Sequence, residues 1–483
     1  MFMKRNSEFP KRFRLVSFYK EEWETSKKIL LHLKKVCTNS HKLLEEKFQK
    51  LSSVIQIFES QHRFNQFNAE DIINLHTKKC IGLENAIKSY FGNNEDFFYT
   101  IIIPFIIDQA ILLHERAKNR YNEQSLPLMI SRKKMKEEIP KSLILSILAN
   151  DFFCNHKDFV SQLNLEQKEM THLEEWCNVD WYWLYSFENS VSINRIKCFL
   201  AYFDFANKIF ELKNNYFENN VIVERIIFDT KNIINNISKC ENKFEENDIN
   251  IHCKGMEDPE IETQSIVDFA NMDFQTGQII PSATQEEILF STRPEMFIAM
   301  FICQRIYENE IIIISGAKKL FEYEGYSNSF KFVKINDNIY NNNYNNNIDD
   351  NVLALDATMF DHYLYNNVIQ DISKYYSACE YCNKKYNNPG ISTGSWGCGA
   401  FGCDRAHKFL QQLICSKANK VRLSFSTHGN QKYCESLKEL LKCIIKCKPK
   451  VNDLWNLIIN FKGNNDDEFH LYLKKELGNE FYL

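Results

Sequence analysis

The sequence predicts an α/β domain in its second half, preceded by an all-α accessory region. Three observations carry that expectation. Apolar residues recur at three- and four-residue spacing through the first half, where Gly82 and Gly92 are the only glycines before Gly255. Short β-branched runs then alternate with helical stretches, the pattern of a layered domain. Five of the 14 glycines fall between positions 390 and 402, where the chain turns tightly or lets its backbone approach a ligand.

Taken in order, Ser26 to Phe58 aligns Ile29, Leu30, Leu33 and Val36, then Leu43, Leu44, Phe48, Leu51, Val54 and Ile55, on one helical stripe. Similar patterns predict helices over 70–91, 97–119, 140–154 and 192–240, so residues 1–245 are expected to form the accessory region. Within 246–483, strands are expected at Ile266–Ala270, Ile311–Ser315, Val352–Asp356 and Val421–Ser426. Helices are expected between and after them, at 285–308, 357–384, 403–417, 431–447 and 451–461. The asparagine-rich stretch 336–351 has little to bury and reads as a disordered surface insert. No internal repeat is visible.

Composition narrows the function classes. Lysine and arginine number 59 against 63 aspartates and glutamates, a net charge of −4. No basic excess draws the whole chain to nucleic acid or to an anionic membrane. A polyanion would have to be held by a local site. The apolar stretch Tyr99 to Leu113 is interrupted by Pro104 and Asp108 and is too short to span a bilayer. The basic start of the chain lacks the apolar core of a secretory signal. Lys4, Arg5, Lys11, Arg12 and Arg14 read as a solvated tail or a nuclear address. Sixteen scattered cysteines suit a reducing compartment better than a disulfide framework. Cys379 and Cys382 form a lone C-x-x-C with no second pair at zinc-finger spacing, so no metal is expected. Cys443 and Cys447, four apart on one helix, are expected to face the core, and Cys398 and Cys403 to be small packing residues.

Chemistry concentrates in two blocks. Val267-Asp268-Phe269-Ala270-Asn271 brings an acid and an amide to the end of a strand. Thirteen residues later, Gln285-Glu286-Glu287 sets two carboxylates at the start of a helix. The plain reading is an acidic first turn that stabilises the helix dipole. The other is a site built where strand ends meet a helix start. A lone histidine, His428, at a strand end is read as a surface or pocket-lining group.

The two blocks together resemble the signature of the poly(ADP-ribose) glycohydrolases. The resemblance continues through Arg293-Pro294-Glu295, Ile313 to Gly316, Glu322 to Tyr326, Leu355-Asp356-Ala357 and Thr393 to Gly402. It extends upstream to Leu126-Pro127-Leu128 and Leu148 to Cys154. It implies a macrodomain-like mixed sheet flanked by helices. It also implies hydrolysis of ribose–ribose O-glycosidic bonds in poly(ADP-ribose), with release of ADP-ribose and no cofactor. By resemblance, Glu287 is the general acid and base, expected to be the protonated carboxyl, and Glu286 holds the substrate ribose. Asn271 would contact the reacting ribose, and Asp268 would bind substrate or play a structural or orienting part. Gln285 would meet adenine or the adjacent ribose, Tyr326 would stack on adenine, and Glu257 or Asp258 would pair with the adenine amino group. Gly277, Gly397, Gly399 and Phe401 would line the cradle for diphosphate and ribose.

The implied partners are poly(ADP-ribose) and ADP-ribosylated proteins, without sequence-specific nucleic-acid binding or a membrane. A monomer in the nucleus or cytoplasm, reversing ADP-ribosylation in the DNA damage response, is the corresponding expectation. The sequence departs from the family at Gln275-Thr276-Gly277, where a triple glycine is expected, and at Ser282, Ser395, His428 and Asn430. Side chains resist the backbone conformations that glycines allow beside a diphosphate. Three readings therefore stay open: a working glycohydrolase, a non-catalytic ADP-ribose-binding module, and a scaffold that uses the helical half alone.

Overall fold

A computed structural model of the chain describes residues 12–63, 80–156, 181–274, 283–340 and 351–478. The first half opens on a short strand, β1 (Arg12–Arg14), paired antiparallel with β2 (Ser125–Pro127). Arg12 and Arg14 therefore belong to a strand rather than to a tail; Lys4, Arg5 and Lys11 lie outside the described residues. The expected helix over Ser26 to Phe58 is two helices, α1 (Lys20–Cys37) and α2 (Leu44–Arg63), with a break at Thr38–Leu43. The apolar stripe is the same on both sides of the break, so periodicity alone does not reveal it.

Next come α3 (Ile81–Phe91), α4 (Ile103–Ile111) and α5 (Leu113–Tyr121). The backbone widens into a π-helical turn at Phe98–Ile102, just ahead of Pro104, which has no N–H to offer the regular ladder. Ile81–Tyr121 is the one stretch among the described residues long and apolar enough to cross a membrane by length and composition. Its Ile102, Ile103, Ile106 and Ile107 are buried in the protein core, as in the interior helix of a globular domain.

The strand β3 (Met135–Pro140) leads into α6 (Lys141–Phe152), followed by α7 (Ser190–Glu211), β4 (Asn220–Ile227) and α8 (Thr230–Ser238). The stretch 192–240, read as helical, thus hides a strand. The run Asn220–Ile227 alternates buried Val221 and Val223 with less buried neighbours, a period-2 pattern masked by the helices around it. Both β3 and β4 join the main sheet, so the helical half contributes to the α/β layer instead of ending before it.

The sheet has eight strands: β3, β4, β7 (Glu310–Ser315), β10 (Asn351–Ala354), β6 (Ser265–Asp268), β11 (Gly390–Thr393), β12 (Arg422–Ser426) and β5 (Ile249–His252), in that order. The pairs from β3 to β10 are antiparallel, and those from β10 to β5 are parallel. A small hairpin, β8 (Phe321–Glu324) and β9 (Lys331–Ile335), stands apart. The central strands are buried on both faces. Ile312 and Ile314 belong to the core shared with the helical half, while Ile311 and Ile313 belong to the core on the opposite face.

The second face is covered by α10 (Tyr365–Lys385), α11 (Arg405–Ala418), α12 (Gln431–Cys447), α13 (Val451–Asn460) and α14 (Asp466–Leu477). The helix expected over 285–308 is cut to α9 (Gln285–Thr292) by Pro294, which starts a separate 3-10 turn at Pro294–Phe297. The asparagine-rich insert is ordered at its ends. Asp337–Tyr340 forms a 3-10 turn with Ile339 buried, and Asn351 is fully buried at the start of β10. Its centre, 341–350, lies outside the described residues.

Cys379 and Cys382 are buried on α10, with Cys379 near Ser416 and Cys382 near Ser265. No group of three potential metal ligands occurs among the described residues. Cys443 faces the core as expected, but Cys447 is exposed.

Two buried ion pairs fasten the halves together. Lys141, at the start of α6, meets Glu295 at 2.9 Å, and the Tyr216 hydroxyl donates to the same carboxylate at 3.0 Å. Arg225 on β4 meets Glu310 on β7 at 3.0 Å. The Arg293-Pro294-Glu295 motif thereby has a structural role at the junction between the halves.

Candidate active site

The parallel strands β10, β6, β11, β12 and β5 all end on one edge of the sheet. Loops leaving those carboxyl ends, together with the start of α9 and the β8–β9 hairpin, surround a cavity of about 460 Å³. The carboxyl edge of a parallel sheet is where α/β folds commonly place ligands.

Gln285 explains how α9 is aimed at that edge. Its side-chain carbonyl accepts from the Phe269 N–H at 2.8 Å, and its amide donates to the Val267 carbonyl at 2.8 Å. Both ends of the side chain are therefore spent on the backbone of β6 and its exit. Gln285, expected to meet adenine or the adjacent ribose, lines the cavity with its side chain braced on the strand.

Thr284 caps α9 through a capping box: Glu287 Oε2 accepts from the Thr284 N–H at 2.7 Å and from its hydroxyl. Glu287 is half-buried and is not among the residues lining the cavity. Its neighbour Glu286 turns the other way. It lines the cavity, is 6% exposed, and has one carboxyl oxygen without a hydrogen-bond partner. Burial pushes the Glu286 carboxyl well above its ordinary pKa, reinforced by Asp268 and Glu287, against an opposing hydrogen bond from the Asn271 N–H. The proton was expected on Glu287; burial raises the carboxyl next to it.

Asp268, at the end of β6, is fully buried, and neither carboxyl oxygen has a hydrogen-bond partner. Burial and then the Glu287 charge raise it strongly, with Arg293 opposing. The linkage has a definite sign. A carboxyl with a folded pKa above its unfolded value gives stability that is complete at low pH and is lost as pH rises. Asp268→Asn should therefore unfold at a higher temperature than wild type at pH 8, with the difference closing by about pH 4, near the ordinary carboxyl pKa. Equal shifts at both pH values in thermal denaturation would show that burial of this charge is not the cause.

Asn271 lies beside the site, and its side chain accepts from the Asp273 N–H at 3.1 Å to close a local turn. It is absent from the cavity lining. Glu257 does line the cavity, but its carboxylate is held by Arg293 at 2.9 Å and by Lys319. Burial alone would raise it; the two cations outweigh burial and hold it below the ordinary carboxyl range. The carboxylate expected to pair with an amino group is thus shared with two protein cations.

On the opposite wall, the glycine loop follows β11. Gly397 has φ +76°, and a Cβ there would lie 2.7 Å from the Ala357 side chain and 3.1 Å from Cys403 Sγ, so both conformation and space require glycine. Gly399 also lines the wall, and a Cβ there would meet nothing within 4 Å. Phe401 lines the cavity, with its carbonyl 2.9 Å from His362 Nε2. Beneath the loop, Trp396 is buried over Lys408, with the ammonium 4.3 Å from the ring centroid, and its indole N–H donates to the Leu355 carbonyl. Tyr326, 40% exposed, lines the cavity and meets the His428 ring edge-on at 4.9 Å. His428, in the left-handed region at φ +49°, lines it too. Gly277, with Gln275, Thr276 and Ser282, lies outside the described residues.

Sequence reasoning missed several contributors, Phe269 and Arg195 among them. Phe269, inside the first signature block, faces the cavity; its place in the motif was the available signal. Arg195 on α7 is buried at 2% exposure and donates to Ser291 on α9 at 3.4 Å. It is in electrostatic contact with Glu287 and Glu286. Nothing in the helical pattern of α7 separates this arginine from a surface one.

Comparison with known proteins gives a consistent result. Residues 234–435 match the family model described as poly(ADP-ribose) glycohydrolase, macro domain fold, and residues 91–225 match that family's helical domain. Poly(ADP-ribose) glycohydrolase 1 of Caenorhabditis elegans is 29% identical over 233 residues, covering 45% of this chain and 29% of the relative. The probable poly(ADP-ribose) glycohydrolase 2 of Arabidopsis thaliana is 26% identical over 257 residues, covering 44% of this chain and 49% of the relative. Poly(ADP-ribose) glycohydrolase 2 of Caenorhabditis elegans is 27% identical over 213 residues, covering 41% and 44%. The chain thus spans at most about half the length of these relatives.

Proposed function

Because this chain belongs to the poly(ADP-ribose) glycohydrolase family, we propose that it hydrolyses ribose–ribose O-glycosidic bonds in poly(ADP-ribose) and releases ADP-ribose. One observation carries the proposal. A nucleotide-sized cavity at the strand ends has a buried glutamate, Glu286, with an unpartnered oxygen on one wall and a glycine loop on the other.

The chemistry follows from the two glutamates. Cleavage requires a proton for the departing ribose oxygen, stabilisation of an oxocarbenium-like centre, and then activation of water. Glu287 serves as acid and then base, leaving its hydrogen bonds to Thr284 for the substrate. Glu286, whose ionisation burial disfavours, holds the ribose of the substrate by hydrogen bonding. Tyr326 and Phe269 hold the adenine end, and backbone amides of Gly397 to Phe401 face the diphosphate. Arg195 limits the mutual repulsion of the acids from behind α9. The proposed substrates are poly(ADP-ribose) and proteins that carry it, and the proposed setting is the nucleus or cytoplasm.

The direct test incubates the full chain with poly(ADP-ribose) and measures released ADP-ribose, beside calorimetry with ADP-ribose. Release supports the proposal. Binding without release would make the chain a non-catalytic reader, and neither would leave the helical half as the functional part.

A further inference from the structure

A second cavity, of about 610 Å³, opens where the helical half meets the β8–β9 hairpin. Its chemistry is unlike an ordinary surface cleft. Lys197, Asp204 and Lys208 are seven and four residues apart on α7, which places them along one face of that helix. Neither lysine has a carboxylate within 4 Å among the described residues, and each sits over a ring: Lys197 Nζ is 5.7 Å from the Phe332 centroid and Lys208 Nζ 4.3 Å from that of Tyr340. The two acids on the wall are already engaged. Asp204 accepts from the Tyr90 hydroxyl at 2.9 Å, and Asp337 pairs with Lys334 at 3.2 Å. Burial, with Lys331 adding like-charge repulsion, lowers the Lys197 ammonium, a cost that a bound anion would relieve.

We infer that this cavity binds a second ligand of the class proposed for the active site, an adenine-type ring bearing phosphates. The lysines would take the phosphates, and the Tyr90, Phe91 and Phe332 side of the cleft would take the ring. The inference rests on the reading of the active site as an ADP-ribose site for its choice of ligand. The hairpin gives the site a consequence. Its strand β9 supplies Phe332 and Lys334 to this cavity, while Tyr323 and Tyr326, on β8 and in the turn, line the catalytic one. The turn is also tied to the start of α9, since the Ser327 N–H donates to the Ala283 carbonyl at 2.7 Å. Occupancy of the second cavity would therefore be felt at the aromatic clasp of the first.

The test is calorimetry of ADP-ribose binding to the full chain, to Lys197→Glu/Lys208→Glu and to Tyr326→Ala. Two sites are expected in the wild type, the lysine variant losing one and Tyr326→Ala weakening the other. Inorganic pyrophosphate alone should bind the lysine site at least tenfold more weakly than ADP-ribose. The KM for poly(ADP-ribose) separates the sources. A rise in the lysine variant at unchanged kcat assigns the site to a neighbouring polymer unit, and an unchanged KM assigns it to free ADP-ribose. A single wild-type site, weakened by Tyr326→Ala and indifferent to the lysines, overturns the inference and leaves the active-site reading standing. A site lost only with the lysines supports the inference while the active-site reading fails. Equal binding of pyrophosphate and ADP-ribose would reduce the cavity to a simple anion patch and overturn it as well.

Discussion

Glu287→Gln should lower the rate of ADP-ribose release from poly(ADP-ribose) by about 10²–10⁴-fold, the range lost with a positioned general acid, while leaving the fold intact. The two effects separate because glutamine can fill the same place in a capping box as glutamate. The Oε2 that now accepts from Thr284 becomes an amide oxygen able to accept the same bonds. A thermal midpoint within a degree or two of wild type is therefore expected. Glu286→Gln should behave differently. A neutral amide substitutes for a carboxyl whose ionisation burial already disfavours, so binding should be altered more than the chemical step. Near-normal turnover by Glu287→Gln would remove Glu287 from the mechanism and leave Glu286 as the remaining candidate acid.

Lys141→Met should cost about 3–5 kcal/mol of stability, the usual penalty for breaking a buried ion pair from one side. Lys141 and Glu295 are 2% and 1% exposed, so solvent does not screen the loss. The lysine ammonium also lies 3.8 Å from the Tyr216 ring centroid, and the substitution removes this cation–π attraction too. Burial, opposed by Lys141, already raises the Glu295 carboxyl. Without the lysine it rises further, so the folded protein takes up a proton that the unfolded chain lacks. The destabilisation should consequently be larger at pH 8 than at pH 5. A fall in the thermal midpoint of about 10 °C is the corresponding scale. The double variant Lys141→Met/Glu295→Gln should recover much of it, because no uncompensated charge remains. An unchanged midpoint in Lys141→Met would mean that this pair does not hold the halves together.

The alternating pattern of the second half was largely legible. Ile311–Ser315 and Val352–Asp356 coincide closely with β7 and β10, because strands buried on both faces must be apolar throughout. Strands β3 and β4 escaped notice: each carries charged residues, and each lies at or near the antiparallel edge of the sheet. Strand β11 is only Gly390–Thr393, too short to show a period. In the site, the glycine loop and Tyr326 reached the cavity from motif position alone. Gln285 and Glu257 did not keep free polar groups, because each found a partner in the folded chain, and the Asn271 side-chain oxygen closes a local turn.

The sequence by itself determined the residue types that chemistry requires, their order along the chain, and the alternation that builds a sheet between helices. Those are local properties, written in periodicity and spacing. Only the tertiary structure decided which of two adjacent glutamates faces the cavity, and that an arginine 96 residues away from Ser291 approaches both from the helical half. The reason is physical: consecutive residues on a helix point about 100° apart, and burial, which sets their protonation, depends on what packs against each side.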